Sequence, residues 1–107
     1  MNYRIIPSDE FKKNTKTLQK KYRNIKQDIE LLAKELLCNP FLGTELSNNI
    51  YKIRIKNSDN NKGKSAGYRI ITYVVDKDSK IFLISIYSKS EQDNILDVEI
   101  KELVENL

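Results

Sequence analysis

The apolar residues of this 107-residue chain change their spacing at about residue 50, and this change constrains the fold more than any other feature. Before it, apolar residues recur every three or four positions, as on a helix that buries one face. After it, they alternate, as on a strand. Helices followed by consecutive strands are typical of the α+β class. No segment has the composition of a linker, so we expect residues 1–107 to form a single domain.

The N-terminal half has the pattern of a short strand followed by a helical hairpin. Residues 2–6 form the candidate strand, and Ser8 is a suitable N-cap for the first helix. Asn24 and Gln27 have the spacing of a capping box for the second helix, which Pro40 ends. Each helix is predicted to bury one apolar face. These faces consist of Phe11, Thr15, Leu18 and Tyr22 in the first helix, and of Ile25, Ile29, Leu32 and Leu36 in the second.

The C-terminal half has the pattern of three strands and a closing helix. Alternating apolar residues begin at Ile50, recur over residues 68–75 and continue over residues 80–89. Because the turn at residues 76–79 is short, the last two strands are predicted to form an antiparallel hairpin. Asp97 can cap a short C-terminal helix. We therefore predict an α+β fold in which an N-terminal strand and an αα-hairpin pack on an antiparallel β-sheet, with one sheet face left open.

Alternation along the three strands sorts their side chains onto two faces. The outward set is rich in cations and phenols. Lysine and arginine bind phosphate groups, and tyrosine rings stack on unpaired bases, so this face favours a nucleic-acid partner. A solvated face that is merely basic has the same pattern. The predicted helix-facing residues are Tyr51, Ile53, Ile55, Ile70, Thr72, Val74, Phe82, Ile84 and Ile86, and the outward ones are Lys52, Arg54, Lys56, Arg69, Ile71, Tyr73, Leu83, Ser85, Tyr87 and Lys89.

The composition restricts the chemistry that this face can perform. The chain has no histidine and one cysteine, Cys38, which excludes a nucleophile–histidine pair, a cysteine-rich zinc site and an internal disulfide. Cys38 is expected to be buried at a helix end. The carboxylates have no metal-binding spacing, so we expect no metal and no cofactor. Catalysis would depend on Lys, Arg, Tyr, Ser and carboxylates.

Charge is segregated along the chain. Residues 1–89 carry a net charge of +9, and residues 90–107 carry −5. A basic body favours a polyanionic partner, although a general abundance of lysine would produce the same charge. The N-terminus has no apolar signal core, and no apolar run approaches the roughly 18 residues of a membrane span. We therefore expect a cytoplasmic protein without a membrane partner.

The loop at residues 62–67 contains Gly-Lys-Ser but does not have the pattern of a P-loop. That motif requires a glycine five residues before Gly63, where this chain has Ser58. It also requires a following helix, whereas a strand pattern follows here. We interpret the segment as a flexible basic loop beside the outward face.

Three segments, residues 50–54, 62–73 and 81–92, resemble the RelE/ParE superfamily of bacterial toxins, and the branch resembles the HigB type. The family pattern is a basic Gly-Lys-Ser-Gly-Gly loop, an Arg-x-x-x-Tyr strand and a final strand ending in Tyr-x-Lys-x-Glu. This chain departs from it at Ala66, which replaces the first glycine of the Gly-Gly pair. The resemblance implies a microbial-RNase-like RelE fold and a toxin of a type II toxin–antitoxin module, with a cognate antitoxin as partner.

The resemblance leaves two toxin activities open. RelE-like members cleave mRNA in the ribosomal A site, which implies ribosome and mRNA as partners and inhibition of translation. ParE-like members inhibit DNA gyrase without cleaving RNA, and would act through the helical hairpin. A nucleic-acid-binding module without catalysis is a third hypothesis. We favour the ribosome-dependent mRNA endonuclease because of the cations and phenols on the outward face.

Metal-free RNA cleavage needs a base for the 2′-OH, positive charge at the phosphorane and an acid for the 5′-oxygen. Without histidine, a lysine among other cations is the plausible base, because neighbouring positive charge lowers the pKa of an ammonium group. The predicted catalytic residues are Lys64 and Lys89 for proton transfer, Arg69 for the phosphate, and Tyr87 to stack on or orient the nucleotide. Arg54, Lys52, Lys56, Lys62 and Tyr73 are predicted to bind RNA, and Glu91 is predicted either to orient Lys89 or to cap a turn.

Overall fold

The computed structural model describes residues 2–60 and 62–107, which form three helices and a five-stranded mixed sheet. The elements are β1 (Arg4–Pro7), α1 (Asp9–Gln19), α2 (Ile25–Cys38), β2 (Thr44–Ser47), β3 (Ile50–Ile55), β4 (Tyr68–Val75), β5 (Lys80–Ser88) and α3 (Asp97–Glu105). The strand order is β1-β5-β4-β3-β2; β1 is parallel to β5, and all other neighbours are antiparallel. The predicted α+β class is confirmed, including the short C-terminal helix.

The two N-terminal helices begin in different ways. The Ser8 side chain accepts a hydrogen bond from the Phe11 backbone N–H at 3.1 Å, so the predicted N-cap of α1 is confirmed. The predicted capping box of α2 is wrong. Asn24 occupies the N-cap position, but its backbone N–H and its side-chain amide both donate to the Asp59 carboxylate, at 3.0 and 3.1 Å. The loop after β3 is therefore tied to the start of α2.

The helical hairpin and one face of the sheet form the main core. Its helix residues follow the predicted stripes and pack against alternate residues of β3, β4 and β5. β1 extends this layer beyond β5, where its Pro7 lies opposite Leu83. Members of this core are Phe11, Tyr22, Ile25, Leu32, Leu36, Ile53, Tyr68, Ile70, Ile81, Leu83 and Ile86.

A β-bulge in β5 reverses part of the predicted side-chain alternation. Ile71 is opposite Ser85, whereas the next residue, Thr72, is opposite Leu83, so Ile84 is an extra residue in the ladder. Leu83 therefore packs in the main core, and Phe82 and Ile84 pack on the other face. The predicted faces of these three residues are wrong, whereas Ile86 and Tyr87, beyond the bulge, lie on the predicted faces.

The second sheet face is not open, because α3 covers part of it. Ile100, Leu103 and Val104 of α3 pack with Ile71 and Ile84 in a second apolar cluster. The predicted cap at Asp97 is also wrong, since Leu96 occupies the N-cap position without a side-chain capping bond. We refer to this side of the sheet as the outer face; its uncovered part carries the polar residues discussed below.

Two further features differ from expectation. Strand β2 was not predicted, because its four residues are all exposed and lack alternating apolar side chains. It reaches β3 through a turn in which Asn49 has a φ of 61°, a conformation that asparagine tolerates. Cys38 is exposed rather than buried.

None of the helices in the described ranges is long and apolar enough to cross a membrane.

Candidate active site

A row of three side chains crosses the middle strands on the outer face. Arg54 of β3 is the cross-strand partner of Arg69 of β4, which is in turn the partner of Tyr87 of β5. The preceding residues in β3 and β5, Ile53 and Ile86, point into the main core, so the row projects to the opposite side. Sequence alternation predicted this arrangement correctly.

Arg69 is the central member of the row and is only 5% exposed. Its guanidinium donates to the carbonyl oxygens of Lys64 at 3.0 Å, Ser65 at 3.1 Å and Tyr68 at 3.2 Å. Burial lowers the pKa of Arg69, and the neighbouring charge of Arg54 lowers it further, while Tyr87 acts in the opposite direction. The guanidinium thus fixes the loop that carries Lys64 and adds positive charge beneath it.

Gly67 lets this loop approach the sheet closely. A Cβ atom at Gly67 would lie 2.0 Å from the Ile55 carbonyl oxygen. This distance is too short for any side chain, so the position requires glycine. The Gly67 carbonyl accepts the Lys89 backbone N–H at 2.9 Å. Ala66 is the last residue of a short 3-10 turn, where a methyl group is accommodated. The loop and the end of β5 are therefore joined, and Lys64 and Lys89 lie at the same end of the sheet.

Tyr87 is also only 5% exposed, which leaves too little of its ring for base stacking in this conformation. Its hydroxyl donates to the Asn94 side-chain oxygen at 3.4 Å. Burial raises the pKa of Tyr87, and the charge of Arg69 opposes that shift. The phenol is accordingly protonated at neutral pH, so it can donate a hydrogen bond or a proton but cannot act as a base.

The turn after β5 collects further candidate side chains. The Lys89 ammonium donates to the Asp93 carbonyl oxygen, and the Lys52 ammonium donates to the Asn94 side-chain oxygen at 3.3 Å. Glu91 forms no ion pair with Lys89. Its carboxylate pairs instead with Lys21 of the segment after α1, at 3.5 Å on the surface.

A groove of about 670 Å³ lies between α2 and the edge of β3 that extends beyond β2. Asp28, Leu32 and Glu35 are among the residues of its α2 wall. The opposite wall continues from the row of the outer face and is strongly basic, so the groove offers a path for an anionic chain that leads to Arg54. The cations that line it are Lys52, Arg54, Lys56 and Lys64.

Two predicted RNA-binding residues do not line this groove. Tyr73 is four residues along β4 from Arg69, a separation of about 13 Å, and stacks on Phe82 with ring centroids 6.4 Å apart. Lys62 is exposed on the loop, where its backbone N–H donates to the Asn60 side chain at 3.1 Å. The structure therefore brings together the following predicted residues: Lys52, Arg54, Lys56, Lys64, Arg69, Tyr87 and Lys89.

Sequence reasoning missed Asn94, which contacts both Lys52 and Tyr87. It lies in an irregular polar segment, where no periodicity assigns a face, so its sequence position carried no signal. Across residues 2–60 and 62–107, no group of three or more Cys, Asp or Glu side chains is arranged to hold a metal ion. The donors at this site are ammonium, guanidinium, phenol and amide groups.

Nearly the whole sequence matches one toxin family. The family model described as the RelE toxin of the RelE/RelB toxin–antitoxin system matches residues 4–106. The chain belongs to the RelE toxin family. The resemblance seen in the sequence to the RelE/ParE superfamily is thus confirmed, and the HigB-type branch stays a prediction.

The fold of this RelE-family chain is similar to solved structures of an E. coli RelE double mutant. The free mutant is 20% identical, with a TM-score of 0.64 over 100% of this chain and 99% of that one. The same mutant in complex with a peptide of the antitoxin RelBc is 19% identical, with a TM-score of 0.63 over 97% of this chain and 95% of that one. At these identities the likeness establishes the fold.

Proposed function

We propose that this chain is the toxin of a type II toxin–antitoxin module and inhibits translation as a ribosome-dependent endonuclease that cleaves mRNA in the A site. The observation that supports this most is that several cations and a protonated phenol lie together beside a basic groove. Three adjacent strands supply four of them, Lys52, Arg54, Arg69 and Tyr87, and Lys89 directly follows β5. Membership of the RelE toxin family supports the same function.

The proposed reaction is attack of a 2′-OH on the adjacent phosphate without a metal ion. Lys64 or Lys89, acting as the neutral amine, takes the 2′-OH proton and becomes an ammonium, and the exposed Arg54 with Lys52 stabilises the charge that develops on the phosphorane. Tyr87 orients the nucleotide and is protonated; when substrate is bound, its O–H bond turns from the Asn94 oxygen to the departing 5′-oxygen and supplies the proton. Arg69 acts beneath the loop, by holding Lys64 in place and adding charge.

An antitoxin is the proposed protein partner. An E. coli RelE mutant has been solved with an antitoxin peptide, and this chain shares its fold. The basic outer face and groove favour an acidic amphipathic segment. Such a segment would cover the cations that the mRNA needs, which would explain how an antitoxin suppresses the toxin.

The proposal is tested by cell-free translation with the purified protein, with and without ribosomes, and with mRNA ends mapped by primer extension. We expect codon-phased cuts that require ribosomes and are lost in Lys89→Ala. Lys77→Ala, in the exposed turn before β5, is the matched control and should cut like the wild type. Intact mRNA with normal protein output would contradict the proposal; DNA supercoiling by gyrase would then be the next activity to assay.

A further inference from the structure

The Asn94 side chain connects two strands of the site. Its oxygen accepts one hydrogen bond from the Lys52 ammonium of β3 at 3.3 Å and another from the Tyr87 hydroxyl of β5 at 3.4 Å. An amide oxygen has two lone pairs, so these two donors use its full capacity. Asn94 is thus the common acceptor for two groups that the intervening strand β4 keeps apart.

The backbone around Asn94 is held on both sides. The Asn94 carbonyl accepts a hydrogen bond from the Gln92 side chain at 2.8 Å, and the Lys89 ammonium donates to the neighbouring Asp93 carbonyl. Ile95, the next residue, is buried in the cluster beneath α3. These contacts fix the position of the amide although the residue itself is exposed.

We propose that Asn94 is a positioning residue of the cleavage site, which holds the Lys52 ammonium and the Tyr87 hydroxyl in the arrangement that meets the scissile phosphate. This inference rests on the proposed function. Lysine has a long stem with many rotamers, so a fixed acceptor reduces the ordering that phosphate binding requires. A neutral acceptor also leaves the positive charge of Lys52 available to the phosphate, whereas a carboxylate at this position would neutralise it.

The charge argument distinguishes Asn94 from its neighbour Asp93. Asp93 has the same side-chain shape but contributes only its backbone carbonyl to the turn, through Lys89. The amide, not the carboxylate, is therefore the group that faces Lys52 and Tyr87. Asn94→Asp keeps the shape and both acceptor contacts and changes only the charge, which makes it the informative variant.

The test compares single-turnover mRNA cleavage by the wild type, Asn94→Ala, Asn94→Asp and Asn94→Gln as ribosome concentration is varied. We expect Asn94→Ala to lower the rate at saturating ribosomes by about 10- to 100-fold, with the half-saturating concentration changed less than about twofold. Asn94→Asp should lose at least as much rate, and Asn94→Gln, which retains an amide oxygen, should recover part of it. Asn48→Ala, which removes an exposed amide from the turn between β2 and β3, is the control and should cut like the wild type.

A second readout does not depend on cleavage. A carboxylate beside the Tyr87 hydroxyl opposes ionisation, so Asn94→Asp should raise the pKa of Tyr87 in an NMR titration of its ring, and Asn48→Asp should not. Equal rates for Asn94→Ala, Asn94→Asp and the wild type, or an unchanged Tyr87 titration, would overturn this inference alone. A wild-type protein that leaves mRNA intact would overturn the proposed function and this inference together.

Discussion

Arg54 and Arg69 are direct cross-strand partners, yet their side chains have different surroundings. Arg54 is exposed at the groove, whereas Arg69 is buried and donates to three backbone carbonyls. A guanidinium can satisfy several acceptors at once because its donors form a rigid planar fork. The first arginine is available for a phosphate, and the second is part of the framework of the site.

This difference predicts different outcomes for the same substitution. Arg69→Lys keeps the charge but cannot reach three carbonyls, so we expect a loss of about 2 kcal/mol in the free energy of unfolding together with loss of cleavage. Arg54→Lys should change stability by less than about 0.5 kcal/mol and affect cleavage alone. Urea denaturation of both variants beside the primer-extension assay measures this. An Arg69→Lys protein as stable as the wild type would contradict the framework role.

Tyr68 has a buried hydroxyl without a hydrogen-bond partner in the part of the chain that the structure describes. Its ring lies edge-on to Tyr22 with centroids 5.8 Å apart. Burial raises the pKa of Tyr68 strongly, and the nearby Asp28 and Asp59 carboxylates raise it further. The folded protein therefore keeps the phenol proton at pH values where the unfolded chain loses it.

We expect Tyr68→Phe to raise the free energy of unfolding by about 1 kcal/mol at pH 7, because it removes an unpaired buried hydroxyl. Because the pKa of Tyr68 is higher in the folded than in the unfolded protein, its contribution to the free energy of unfolding is fully present below pH 10, the ordinary tyrosine value. This contribution is lost as the pH rises above 10. The advantage of Tyr68→Phe should therefore grow between pH 9 and 11, roughly the range around that value. Urea denaturation across this range, with Tyr73→Phe as control, measures it, and a Tyr68→Phe protein less stable than the wild type at pH 7 would contradict it.

Alternation predicted the outward direction of Lys52, Arg54 and Arg69 because β3 and β4 pair without interruption. It did not reveal that Arg69 is buried, since burial depends on where the 62–67 loop folds. It also grouped Tyr73 with the site, because face assignment ignores distance along the strand. Asn94 lies outside any strand, so the same rule does not apply to it.

At the scale of elements, the bulge at Ile84 in β5 explains why alternation predicted side-chain directions correctly on one side of it and wrongly on the other. Strict alternation takes no account of the extra residue in a bulge, so the predicted faces are reversed for the side chains N-terminal to it. Ile86 and Tyr87, C-terminal to it, were assigned correctly. The helices were predicted well because their apolar stripes extend over several turns, whereas the exposed β2 has no stripe.

The docking of α3 was the main element-level difference. Its apolar residues were visible in the sequence, but nothing in the sequence indicated which surface they would cover. In the structure they cover the outer face next to Tyr87, and the connection to α3 contains Asn94 and Ile95. The acidic helix is thus part of the wall of the site.

We expect Ile100→Ala, which removes the most buried residue of α3, to lower the free energy of unfolding by about 2–3 kcal/mol. Val98→Ala, on the exposed side of the same helix, should change it by less than about 0.5 kcal/mol. Thermal or urea unfolding of the two variants measures the difference. Equal stability of the two variants would show that α3 does not pack as described.

At the scale of the whole molecule, Tyr87 lies between surfaces of opposite charge. The groove on its β3 side is lined by four cations and, on its α2 wall, by Asp28 and Glu35, whereas the charged residues of a pocket of about 280 Å³ on its α3 side are Glu10, Glu99 and Glu102. A polyanion would therefore approach along β3 and meet the row at Arg54 first. Two of the acidic residues after residue 90, Glu99 and Glu102, thus line the pocket beside Tyr87, whereas four cations before residue 90 line the groove.

The most direct test of the central claim is the chemistry of the 5′ ends on the downstream mRNA fragments produced in ribosome-dependent reactions. Attack by the 2′-OH leaves a 5′-hydroxyl, so we predict that the fragments are ligated only after phosphorylation by a kinase. Cuts should be phased with codons and absent in Lys89→Ala. Fragments that carry a 5′-phosphate, or mRNA that stays intact on translating ribosomes, would contradict the claim.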